Sequence, residues 1–128
     1  MCQGRVEVHR RYGADDTIQA DPQQLRQVFL NLFLNSLESM NGSGGQLSVS
    51  TVRDGSRLAV TIKDTGHGIP KEQLHHIFDP FFTTKQGGTG LGLSVVHTII
   101  TDHRGTIRIV SHPGLGTTIT LEFPVWRI

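Results

Sequence analysis

The sequence predicts an α/β fold of the α+β kind, a two-layer sandwich in which a mixed, mostly antiparallel sheet packs against helices. Three observations carry that prediction. Alternating segments at 46–52 and 57–64 meet around Asp54-Gly55, and a second alternating pair, 105–111 and 117–123, meets around His112 to Gly116. Short Gly- and Pro-containing turns of this kind join antiparallel neighbours. Between and before these hairpins run two stretches with helical spacing, 22–40 and 91–103. Helices interspersed among hairpin-linked strands argue against a parallel doubly wound sheet, whose strands need helical crossovers.

Taken in order, residues 4–12 and 17–20 read as short strands joined through the turn-forming stretch Gly13 to Asp16. The clearest helix follows. Asp21 is a good N-cap, Pro22 suits the first helical position, and the run Asn41 to Gly45 stops it. Leu25, Val28, Phe29, Leu32, Phe33, Ser36 and Met40 form its core stripe, and Leu30, Leu34 and Leu37 widen the apolar surface. That leaves a narrow polar strip, Gln24, Gln27, Asn31, Asn35 and Glu38, within roughly a quarter of the helical wheel. Residues 71–78 suit a short helix. Residues 81–90 have neither period and read as a loop. The last helix runs from Leu91 to His103, with Gly105 as its stop.

One strand ends on an acid. Leu58, Val60 and Ile62 share a face because side chains alternate along a strand, and Asp64 falls in the same register. Its carboxylate therefore points at the apolar layer, where an unpaired charge is very costly. Something polar should meet it there.

The bulk properties mainly exclude. A chain of 128 residues is long enough for one domain, 1–128, with its own core. Twelve Lys and Arg against eleven Asp and Glu give +1, so no strong field argues for nucleic acid or an anionic membrane. The single cysteine excludes an internal disulfide and fits a reducing, cytoplasmic setting. No run approaches the roughly 20 apolar residues of a membrane helix, and the start lacks an apolar signal segment. Because the opening Met1-Cys2-Gln3 leads almost at once into a strand, the chain reads as a piece of something longer.

Two glycine-rich segments raise the question of phosphate binding. No glycine precedes a lysine, so a Walker A loop is excluded, and no G-x-G-x-x-G occurs. What remains is GGTGLGL at 87–93, directly before a helix, with Lys85 upstream. Backbone N–H groups beside a helix N-terminus suit an anion cradle, and a flexible linker capped by a helix is the other reading. Asn31 and Asn35 lie one turn apart, and amide oxygens are hard ligands of the kind Mg²⁺ accepts. His75, His76 and Asp79 could suggest a metal cluster, but adjacent histidines splay apart on a helix, so a surface position is expected.

NLFLNSLE (31–38), DTGHGIP (64–70), IFDPFFTTK (77–85) and GTGLGLSVV (88–96) resemble, in order and spacing, the N, G1, F and G2 boxes of the catalytic domain of sensor histidine kinases, within the Bergerat-fold ATPases. The likeness extends from about residue 4 to 125 and includes GLGTTITLEFP, which is similar to the closing hairpin. The resemblance implies ATP and Mg²⁺ as cofactors and a two-component signalling role. It implies that Asp64 accepts the adenine amino hydrogen, that Asn35 coordinates Mg²⁺, and that Asn31 lies beside the phosphates. Gly66 and Gly68 match glycines that let the backbone approach the nucleotide, and Gly88, Gly90 and Gly92 match the hinge of a mobile lid. Lys85 is the implied phosphate contact in that lid, and Ile69, Thr89, Leu91 and Thr118 complete the implied nucleotide site. Phe78, Phe81 and Phe82 match the F-box aromatics, with ordinary core packing as the alternative. The catalytic set is thus Asn31, Asn35 and Lys85.

One position separates branches of the family. Chaperone, gyrase and mismatch-repair ATPases place a glutamate where this chain has Asn31. An amide cannot take a proton from water at neutral pH, so slow hydrolysis is expected. A histidine acceptor, already nucleophilic when neutral, needs less help. None of the seven histidines precedes an acid in the way the family's phosphoacceptor does, so the expected partner is a separate dimerisation domain of the same parent protein, with a response regulator downstream. Two rivals remain: an ATPase using another base such as Glu38, and a nucleotide-binding docking module that transfers nothing.

Overall fold

The computed structural model describes residues 6–11, 18, 20–40, 44–79 and 92–125. They form seven regular elements in the order β1 (Val6–Arg11), α1 (Pro22–Ser39), β2 (Gly45–Asp54), β3 (Arg57–Asp64), α2 (Gly92–Asp102), β4 (Thr106–His112) and β5 (Gly116–Pro124). The sheet has the strand order β1-β2-β3-β5-β4. β1 runs parallel to β2, and every other neighbour is antiparallel. Both expected hairpins are present, turning at Gly55 and at the segment 113–115. The two helices lie together against one face of the sheet, so the architecture is the predicted two-layer sandwich.

Alternation puts one face of each strand into the core. On β3, Leu58, Val60, Ile62 and Asp64 are buried while their neighbours are not. Leu47 and Val49 of β2 and Ile119, Leu121 and Phe123 of β5 join them, covered by Val28, Leu32 and Met40 of α1 and Val96, Ile99 and Ile100 of α2. The outer face is polar: Glu122 of β5 meets Arg108 of β4 at 2.9 Å and Arg57 of β3 at 3.5 Å. Leu30, Leu34 and Leu37 of α1 remain exposed, at 55, 46 and 40%.

The boundaries of α1 fall where its end signals place them. Asp21 Oδ1 accepts the backbone N–H groups of Gln23 and Gln24, and Pro22 opens the helix. Three expectations need correction. Ile18 and Ala20 lie in no strand, and the rest of the stretch 17–20 is outside the described residues. Residues 71–78 form a single 3₁₀ turn, Lys71–Gln73, followed by further turns, because only local i to i+3 bonds are closed there. The residue that ends α2 in a left-handed conformation is Arg104, with φ 60°, rather than Gly105.

Candidate functional site

Asp64 is 4% exposed at the end of β3. Its Oδ1 accepts two backbone N–H groups, from Gly66 at 2.9 Å and from Thr117 at 3.3 Å. Both bonds end on the same oxygen, so among the described residues Oδ2 is the one left to meet an incoming donor. The loop that follows β3 is shaped by its glycines. A Cβ on Gly66 would collide with the Ser39 side chain of α1. Gly68 has φ +77° and would meet the His112 carbonyl. These two glycines therefore bring the backbone against α1 on one side and the β4–β5 turn on the other. His67 between them donates its N–H to Ser39, and its carbonyl accepts from Gly114 at 2.7 Å.

The same end of the sheet holds a hydroxyl pair. Ser111 of β4 and Thr117 of β5 are both buried, with their oxygens 2.9 Å apart. The Ser111 Oγ also accepts the Ile69 N–H at 2.7 Å and lies 3.2 Å from the Gly116 carbonyl oxygen. Ile69, an expected site residue, is thus tied to the sheet through Ser111.

Thr118, an expected site residue, is placed by the sheet register. Thr117, not Thr118, pairs with Asp64 in the sheet register, and Thr118 pairs with Lys63. Successive residues point to opposite faces, so Thr118 lies on the outer face and Thr117 stands beside the carboxylate. Thr117 belongs to the buried series with Ile119, Leu121 and Phe123, the same period-2 signal that places Asp64 with Ile62.

The helices supply the other part of the site. Asn31 and Asn35 are both half-buried on α1, and the Asn31 side-chain nitrogen lies 3.5 Å from the carbonyl oxygen of Gly92, the first residue of α2. The N-terminus of α2, where the helix dipole is positive, therefore abuts the asparagine strip. Phe78 is half-buried with its ring 5.2 Å from that of His97 on α2. Exposed His76 and Asp79 meet at 3.1 Å. Lys85, Phe81, Phe82, Gly88, Thr89, Gly90 and Leu91 lie outside the described residues. A cavity of about 300 Å³ opens between the end of α1 and the loop after β3, lined in part by Ser39, Met40, Thr65, Gly66 and His67. Among the described residues no helix is long and apolar enough to cross a membrane.

Residues 20–127 match the family model described as histidine kinase-, DNA gyrase B- and HSP90-like ATPase. The sensor histidine kinase ZraS of Escherichia coli K12 is 48% identical over 122 residues, which cover 93% of this chain and 26% of ZraS. Sporulation kinase A of Bacillus subtilis is 47% identical over 107 residues, covering 84% of this chain and 18% of that protein. The chain thus spans about a quarter or less of the length of these relatives. The solved catalytic domain of histidine kinase ThkA superposes with a TM-score of 0.82 at 32% identity, covering 94% of this chain and 79% of that one. Full-length ShkA, solved in complex with AMPPNP, superposes at 0.79 with 29% identity over 96% of this chain and 26% of that one. An acid buried at a strand end, with two half-buried asparagines on a helix packed against the same sheet, thus sits in a chain that belongs to the histidine kinase-, DNA gyrase B- and HSP90-like ATPase family, as the catalytic-domain type found in sensor histidine kinases.

Proposed function

We propose that this domain binds ATP with Mg²⁺ and, within a longer cytoplasmic or membrane-anchored parent, donates the γ-phosphoryl group to a histidine on a separate dimerisation domain. The buried Asp64 carries the reading. Its Oδ1 is held by two backbone N–H groups, which supports a reading in which Oδ2 accepts the exocyclic amino hydrogen of adenine. Guanine presents a carbonyl oxygen at the corresponding position, which a carboxylate repels, so the same atom selects against GTP.

The donor set on α1 fits a hard cation. Asn35 would hold Mg²⁺ through its amide oxygen with Asn31 beside it, and the bound ion would neutralise phosphate charge. The N-terminus of α2 at Gly92 favours the phosphates electrostatically. Lys85 is assigned to the same phosphates by its place in the motif. In the transfer, an imidazole nitrogen of the acceptor forms a bond to the γ-phosphorus as the bond to the ADP oxygen breaks. The domain's contribution is positioning and charge neutralisation, the usual source of catalysis in phosphoryl transfer. Asn31 cannot act as a base, which supports transfer to histidine over rapid hydrolysis.

Calorimetric titration with Mg-ATP and Mg-GTP tests this reading on the wild type and on Asp64→Asn. ATP should bind, GTP should not, and the folded variant should lose ATP affinity on the order of a hundredfold, as expected for a hydrogen bond to a charged group. Equal binding of both nucleotides, or an Asp64→Asn variant that keeps full ATP affinity, would overturn it.

A further inference from the structure

The C-terminal end of α2 is tied to the beginning of α1 by a histidine 82 residues away in sequence. His103 is half-buried, with Nδ1 2.8 Å from the Ile99 carbonyl oxygen and Nε2 3.0 Å from the backbone nitrogen of Asp21. A carbonyl oxygen only accepts, so Nδ1 carries a hydrogen, and a backbone N–H only donates, so Nε2 carries a lone pair. The imidazole is therefore neutral, in the less common of its two tautomers. Asp21 is the N-cap of α1, whose carboxylate serves Gln23 and Gln24, and its own N–H falls outside the helix. His103 satisfies it.

This contact closes one end of an antiparallel helix pair. The Asn31–Gly92 contact closes the other, ten residues along α1, or about 15 Å at 1.5 Å per residue. A helix is stiff over that length, so fixing the C-terminus of α2 sets the height at which its N-terminus meets Asn31. We propose that His103 is a positioning residue for the nucleotide site: its neutral imidazole pins α2 to the cap of α1 and thereby sets the place of Gly92 beside Asn31. The inference rests on reading that end of the helix pair as the phosphate end.

Long-range proton–nitrogen NMR on the nucleotide-free chain at neutral pH should show the hydrogen of His103 on Nδ1. A hydrogen on Nε2 overturns the proposal. Two variants then separate positioning from mere stability. His103→Gln offers an acceptor oxygen near the place of Nε2, whereas His103→Asn keeps only a donor near that of Nδ1. His103→Asn should weaken Mg-ATP binding about fivefold, the size of one lost hydrogen bond, and shift the NMR signals of the Gly92 backbone amide and the Asn31 side-chain amide. His103→Gln should stay within about twofold of the wild type and leave both signals in place. Wild-type affinity and unshifted amides in His103→Asn would show that the contact is structural only. If His103→Asn does not fold, His103→Gln decides, and a fivefold loss or shifted amides there overturn the proposal. A wild type that binds no nucleotide defeats the reading of the site, while the tautomer and the two amides still judge this inference.

Discussion

The two ends of the candidate site are held by different means. At the sheet end, Asp64, Ile69, Ser111 and Thr117 are joined by hydrogen bonds of 2.7–3.3 Å that run between strands and the loop after β3. At the helix end, Asn31 reaches α2 through a contact of 3.5 Å, at the limit of a hydrogen bond. On the proposed reading of Asp64, the base-binding end is thus ordered within the sheet before any ligand arrives. The end proposed for the phosphates instead lies where one helix meets another, and by the same proposal it depends on a contact as distant as that of His103 with Asp21.

Ser111→Ala should break the sheet end most severely. It leaves the partly buried Ile69 N–H without its partner and frees the Thr117 hydroxyl, for a loss of about 1–3 kcal/mol. Thermal melting should fall by several degrees, and ATP affinity should fall with it. An unchanged melting temperature would mean that this end is not preorganised as described. Asn35→Ala should act on the helix end alone. Removing the amide should abolish roughly a tenfold gain in ATP affinity that Mg²⁺ confers, while the variant stays folded at 25 °C. A variant that unfolds instead would make Asn35 a structural residue. The smallest expected effect sharpens the comparison within β5. Thr118→Ala, on the outer face, should change stability by under about 0.5 kcal/mol and leave ATP binding unaltered. Thr117→Ala should weaken binding measurably, and equal effects from the two would contradict the register.

Asp64 and Thr117 obey the same rule of alternation. Period-2 alternation placed Asp64 on the core face with Ile62, and the structure finds it there. Alternation in TTITLEF likewise groups Thr117 with Ile119, Leu121 and Phe123, so which threonine stands beside Asp64 was legible. Alternation also sets Ser111 on one face with Ile107 and Ile109, whereas Ser39 had no comparable signal. Ser39 matters because Gly66 approaches it, and Ser111 because Ile69 does, and neither approach follows from local sequence.

By itself the sequence determined what depends on neighbours along the chain. The cap and proline of α1, its core stripe, the two hairpins and the buried face of β3 all follow from local dihedral preference and hydrophobic period. Only the tertiary structure decided that β5 inserts between β3 and β4, that α2 lies antiparallel to α1, and that His103 finds the N–H of Asp21. The physical reason is that pairings across long stretches of chain are chosen by the fit of whole faces and the satisfaction of buried polar groups. No short window of residues contains that information.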